Sequence, residues 1–218
     1  MTKLTAVVWD WNGTLLDDVD VSYRTINRVL SQNGYPPISD LASYREKFCF
    51  PIIQYYRNAG FDFARTPFEE AARQYMDLYH PAAEHCSLQE GAQAVLNALQ
   101  EAGLRQILLS ASLQAHLEMQ VARTPIGPCF DRLLGIGDIY AASKQELALS
   151  FLRESGLDPQ SVLFVGDSVH DFEVAQGCGS PCVLFSGGHQ PSAVLVATGS
   201  PVIASLCELP PLLSSVLF

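Results

Sequence analysis

Val7-Val8-Trp9-Asp10-Trp11-Asn12-Gly13-Thr14-Leu15-Leu16 carries an apolar run into a carboxylate and then breaks into a Gly-Thr turn. A run of this kind reads as a buried strand, and its end places Asp10 at the carboxyl edge of the sheet, where open α/β sheets hold their ligands. Gly13 lets the chain turn sharply and leaves room for a ligand to approach the backbone. Taken alone, a strand that ends in an Asp capping a turn needs no function.

A second stretch has the same character. Val162-Leu163-Phe164-Val165-Gly166-Asp167 is another apolar run ending on an acid, and Asp171 follows four residues on. If a helix starts at Ser168, Asp171 falls in its first turn, close to Asp167. A capping box between Ser168 and Asp171 accounts for that pair locally. It does not account for Asp167 and Asp10 both standing at strand ends. Three carboxylates at one sheet edge repel one another, and such clusters hold a cation. Mg²⁺, a hard ion that keeps several waters, is the natural choice.

Two weaker signals lie between these stretches. Gln106-Ile107-Leu108-Leu109-Ser110 is a third apolar strand, ending in a hydroxyl that can donate to a phosphate oxygen. In Ala142-Ser143-Lys144-Gln145-Glu146, Ser143 and Glu146 have capping-box spacing, which puts Lys144 in a first helical turn. A cation there opposes the helix dipole at a cost of up to about 1 kcal/mol, so its placement points to an anion nearby. A turn serine and a solvated lysine remain the plain alternatives.

In this order the segments resemble the haloacid dehalogenase superfamily, specifically its phosphoglycolate-phosphatase-like branch, over essentially the whole chain. The resemblance implies that Asp10 is a nucleophile forming an aspartyl-phosphate. Ser110, with Ala111 beside it, and Lys144 would hold the phosphoryl oxygens, and Thr14 would shape the first loop. Asp10, the backbone carbonyl of Asn12 and Asp167 would ligate Mg²⁺, with Asp171 supporting the metal through water.

One position departs from that pattern. Active phosphatases of this family carry a second Asp where this chain has Asn12. That Asp protonates the leaving oxygen and later activates water, and an amide can do neither near neutral pH. General acid–base help is worth about a hundred- to ten-thousandfold in rate. The expectation is therefore slow turnover, a substrate with a good leaving group, or a phosphate-ester binder or regulator without catalysis. Dehalogenases of the superfamily place Tyr at the position of Asn12 and need no Mg²⁺, which the retained Asp167 and Asp171 argue against. Phosphonoacetaldehyde hydrolases carry Asp-Trp-Ala-Gly-Thr and use a cap lysine for C–P cleavage. Lys47 is the one candidate for that role, but Tyr44 to Pro51 looks more like the cap of the phosphatase branch.

The 218 residues, 48% of them hydrophobic and 17% charged, suffice for a core plus an insertion and exclude disorder. A net charge of −10 argues against a nucleic-acid surface. The six cysteines show no metal-ligand pairing, and no signal run or membrane-length apolar stretch is present. A cytoplasmic protein with reduced thiols, monomeric or homodimeric and without membrane contact, is expected.

Residues 19–82 read as helices. Tyr23, Ile26, Val29 and Leu30 form a stripe ending before Gly34. Pro51 opens a short helix that stops at Gly60, and Thr66-Pro67-Phe68-Glu69 is a strong start signal. The aromatic residues here read as cap core. Arg45 and Lys47 are the candidates for reaching an anionic substrate, with solvated helix-face charges as the alternative. Asp17 and Asp18 read as turn residues, and Gly187-Gly188-His189 as a plain turn that could line the site. Beyond the cap, strand and helix signals alternate, with strands at Leu133 to Ile136, Cys182 to Phe185 and Pro201 to Ile203. The expected fold is α/β: a Rossmann-like doubly wound parallel sheet core (1–18 and 83–218) with an inserted α-helical cap domain (19–82). The expected activity is Mg²⁺-dependent hydrolysis of a small phosphorylated metabolite.

Overall fold

The computed structural model describes residues 3–137 and 143–217. Its centre is a six-stranded, wholly parallel sheet. The strands are β1 (Ala6–Trp9), β2 (Arg105–Leu113), β3 (Arg132–Ile136), β4 (Val162–Gly166), β5 (Cys182–Phe185) and β6 (Val202–Ile203), in the order β3-β2-β1-β4-β5-β6. Chain order reverses between β1 and β4, and a crevice opens at the carboxyl ends of strands flanking such a switch point. The register sets Trp9 beside Val165, so Asp10 and Asp167 leave the sheet from neighbouring strands.

Burial on both faces explains why these strands read as continuous apolar runs. Val7, Trp9, Leu108 and Val165 pack on one face against α5 (Ala92–Glu101), α6 (Gln114–Ala122) and α10 (Leu209–Leu217). Val8, Ile107, Leu109 and Phe164 pack on the other against α7 (Lys144–Ser155), α8 (Val169–Cys178) and α9 (Ser192–Val196). Both tryptophans of the first motif are fully buried, and each indole finds an amide: Trp9 Nε1 donates to Gln106 at 3.1 Å and Trp11 Nε1 to Gln120 at 2.9 Å. Gln106 in turn donates to the Leu96 carbonyl at 2.8 Å. Gln106→Leu strands the Trp9 N–H in the core and should cost about 1–3 kcal/mol, read from the denaturant midpoint.

The insertion folds as α1 (Val19–Gln32), α2 (Leu41–Lys47), α3 (Ile52–Ala59) and α4 (Phe68–Ala83) around its own apolar cluster, including Ile26, Val29, Leu30, Tyr44, Tyr55 and Ala71. Gly60 ends α3 in the left-handed conformation that favours glycine. The start of α4 differs from the sequence expectation: Thr66 does not cap it, because its hydroxyl accepts from Tyr35 instead. Among the described residues no helix is long and apolar enough to cross a membrane, and the six cysteines are free thiols.

Candidate active site

Four separate elements deliver the acidic centre. Asp10 follows β1, and Asp167 follows β4. Asp171 sits in the first turn of α8, whose N-cap Ser168 forms the expected capping box with it. Lys144 opens α7 behind the Ser143–Glu146 capping box. All four side chains are buried. Carboxylate oxygens of Asp10, Asp167 and Asp171 lie within 4.8 Å of one another. The Lys144 ammonium bridges two of them, donating to Asp10 and, at 2.6 Å, to Asp171. The anion inferred from a lysine in a first helical turn is thus a pair of carboxylates of this same chain.

The electrostatics show how incomplete that compensation is. Burial pushes the Asp10 carboxyl up to about 6 despite Lys144. Burial pushes Asp167 up to about 8, with His189 opposing and the charges of Asp10 and Asp171 adding to the rise. Asp171, although equally buried, is held below the ordinary carboxylate range by Lys144 and Ser168. One ammonium does not balance three buried carboxylates, and an oxygen-rich set of this kind fits a hard divalent cation.

Glycines make the close packing possible. A Cβ on Gly13, which has φ +75°, would meet Asp167 and His189, and one on Gly188 would meet Asp167. Thr14 Oγ1 donates to Asp10 Oδ2 at 3.1 Å, orienting the carboxylate. Ser110 is buried beside them and accepts from the Ser112 amide at 3.1 Å. A shift of register between Leu109 and Leu113 turns Ser110, Ala111 and Ser112 into the crevice.

Asn12 stands in a network absent from the sequence reading. Its amide donates to Tyr79 Oη at 2.7 Å and to Asp18 Oδ2 at 3.1 Å, while its carbonyl accepts from Ser112 Oγ at 3.0 Å. Asp18 is not the turn residue expected from the sequence. It is buried, and it accepts from Gly13 N at 2.7 Å and Tyr79 Oη at 2.5 Å. His189 Nε2 lies 3.3 Å from Asp18, its Nδ1 pairs with Tyr44 Oη at 2.8 Å, and its backbone N–H donates to Asp167 at 2.5 Å. Burial disfavours the His189 cation, but Asp18 and Asp167 outweigh it and carry the ring up to about 9. The Gly-Gly-His loop is therefore part of the site rather than a plain turn. Its position after a strand end was the available signal; nothing local named its partners.

Arg45 also differs from expectation. Rather than reaching for an anion, its guanidinium donates to the carbonyls of Gly188 at 2.9 Å and Gly187 at 3.0 Å, tying α2 to the His189 loop. Those carbonyls follow β5 and have no strand partner, so a cation from the cap satisfies them. Neither Arg45 nor Lys47 lines the cavity of about 480 Å³ that opens over Asp10, so Lys47 lends no support to Schiff-base chemistry. His116 is half-buried and borders that cavity.

A doubly wound sheet with acids at its switch point and a helical cover defines a capped α/β protein with an acidic centre. The family model of haloacid dehalogenase-like hydrolases matches residues 7–185, and the chain belongs to that family. It is 26% identical over 190 residues to a phosphoglycolate phosphatase of Pseudomonas putida, covering 84% of this chain and 70% of that one. A phosphoglycolate phosphatase of Synechococcus elongatus is 27% identical over 202 residues, with 89% of each chain covered. Among solved structures, a haloacid dehalogenase-like hydrolase of Streptococcus pneumoniae superposes with a TM-score of 0.83 at 18% identity, covering 97% of this chain and 99% of the other. A haloacid dehalogenase-like protein of Agrobacterium tumefaciens gives 0.77 at 20% identity, covering 99% and 100%. These likenesses agree with the phosphoglycolate-phosphatase-like branch that the motifs resemble.

Proposed function

We propose that the protein is a Mg²⁺-dependent phosphomonoester hydrolase of small phosphorylated metabolites in the cytoplasm, working through an aspartyl-phosphate at Asp10. The core of 1–18 and 83–218 carries the chemistry, and the helices of 19–82 cover it. The observation that carries the reading is the buried Asp10–Asp167–Asp171 cluster at the switch point, with a single lysine against it. Asp10, Asp167, Asp171 and the backbone carbonyl of Asn12 would hold Mg²⁺, which would supply positive charge to the transferring phosphoryl group. Asp10, oriented by Thr14, attacks phosphorus. Lys144 and Ser110 hold phosphoryl oxygens, and Lys144 also keeps Asp10 ionised. The cap excludes bulk water while the phosphoenzyme exists.

Acetyl phosphate tests this directly, because acetate departs without needing a proton. Mg²⁺-dependent phosphate release that stops with EDTA is the expected result, accompanied by a higher melting temperature on Mg²⁺ addition, about 2.7 kcal/mol at a hundredfold excess over Kd. The paired amide of Asn12 favours a second reading, a phosphate-ester binder without turnover. Binding of inorganic phosphate together with no hydrolysis at high protein concentration would select it.

Asn12→Asp separates the roles of that position. The new carboxylate would stand where an amide now donates to Asp18 at 3.1 Å, so stability should fall by about 1–3 kcal/mol. Turnover of esters with poor leaving groups should nevertheless rise about a hundredfold. Steady-state kinetics and a melting curve on the same preparation check both, and no gain in rate would remove the acid–base explanation of this position.

A further inference from the structure

Beyond the acids, the cavity over Asp10 changes character. Phe50, Ile52, Met76, Leu113 and Ile136 form its outer walls. Three of the four lining histidines join them, and their rings are already engaged with other rings. Phe50 stacks on His170 with centroids 4.5 Å apart and planes at 26°, and His80 meets His116 at 3.9 Å across the gap between α4 and α6. Met76 is 48% exposed although it borders the cavity, so an apolar surface there awaits a partner.

Charge disfavours one kind of occupant. The lining residues include five aspartates, Asp10, Asp18, Asp77, Asp167 and Asp171, against Lys144, which is already paired twice, and His189, whose ring is held by Asp18. No arginine lines the cavity among the described residues, and positions 138–142 contain neither arginine nor lysine. Burial and the neighbouring His116 hold His80 below the ordinary imidazole range, so its ring is neutral at pH 7. A leaving group with its own carboxylate would find, among the described lining residues, no lysine or raised histidine that is not already paired.

The acid–base side points the same way. The amide of Asn12 is fully paired and has no proton to give. An alkoxide leaving group would need that proton, whereas a phenolate, stabilised by its own ring, would not.

Resting on the phosphatase reading above, we infer that the substrate is an aryl phosphomonoester whose uncharged ring sits against Phe50, Met76 and the histidine pairs. Asp10 bonds to phosphorus as the P–O(aryl) bond breaks, and the electron pair leaves on the phenolate oxygen. Water then attacks phosphorus, the Asp10 carboxylate departs with its electrons, and the proton lost by water is taken up in solution by the phenolate. Inorganic phosphate and a phenol are the products.

Competition among phenyl phosphate, phosphoglycolate and acetyl phosphate in the presence of Mg²⁺ tests the inference. The expected kcat/KM for phenyl phosphate exceeds that for phosphoglycolate by about a hundredfold, the share that general acid help would otherwise supply. Across substituted phenyl phosphates the rate should fall as the phenol becomes more basic. Phenylphosphonate should inhibit about fivefold more tightly than phosphonoacetate, and Phe50→Ala should reduce that preference. Equal or faster turnover of phosphoglycolate, or equal inhibition by the two phosphonates, overturns the inference while acetyl phosphate hydrolysis leaves the phosphatase reading standing. No turnover of any of the three overturns both.

Discussion

Asp10→Asn is expected to abolish turnover, lowering kcat by about four orders of magnitude or more, since an amide cannot form the phosphoenzyme bond. The loss should not come from misfolding. Asp10 is buried against Asp171 and Lys144, and its carboxyl is pushed up to about 6, so ionisation at neutral pH works against the fold. Removing that charge leaves Lys144 paired with Asp171 at 2.6 Å. The melting temperature of the metal-free variant should therefore match or exceed that of the parent, as expected for a site whose charges serve reactivity at the expense of stability. A variant that is inactive and melts well below the parent would show that Asp10 is a structural residue. Intact-protein mass spectrometry after rapid quenching should add one phosphoryl group to the parent and none to the variant.

Lys144→Met should carry the largest penalty in stability. The ammonium is the one cation bridging Asp10 and Asp171, and both partners are buried. Its loss leaves carboxylates facing one another without compensation, a change that costs about 3–5 kcal/mol when one member of a buried pair is removed. Mg²⁺ should restore part of it, because a divalent cation replaces the missing charge.

The pH dependence has a definite sign. Asp10 and Asp167 ionise at about 6 and about 8 in the fold, above the ordinary 3.8. Their favourable contribution is complete below the ordinary value and is lost as pH rises through those points. His189, raised from 6.5 to about 9, loses its contribution over the upper part of the same range. The metal-free parent should therefore melt lower at about pH 8 than at about pH 5.5, with a steeper fall in Lys144→Met. Thermal melts across that range with EDTA and with Mg²⁺ check the slope, and a flat profile without metal would mean the acids are not strained against one another.

Much of this is legible in the amino-acid sequence. Val7 to Asp10 and Val162 to Asp167 read as buried strands because both faces of the sheet are covered, which leaves unbroken apolar runs. Ser143 with Glu146 and Ser168 with Asp171 announced two helix starts, since a capping box is formed by residues three apart. Those local rules set Asp10, Lys144, Asp167 and Asp171 at element ends, and parallel topology brings such ends to one edge.

Asp18, Tyr79, Ser112 and His189 were not legible in that way. Asp18 lies at the start of α1, where an acid usually caps a helix, but its side chain turns instead to Gly13, Tyr79 and His189. Tyr79 fits the apolar stripe of α4 and still carries a hydroxyl into the site. Arg45 matched the composition of an anion binder yet was taken by two loop carbonyls.

The amino-acid order by itself determined the strands, the capped helix starts and the acids that stand at their ends, because hydrogen bonding and burial act there over a few residues. Which polar groups meet across the crevice was decided only in three dimensions. The Asn12 side chain finds Tyr79 because the cap packs over the sheet, and Ser112, 100 residues away, because β2 lies beside β1. Buried polar groups take whatever partner the packing brings within reach, and that choice has no local signature.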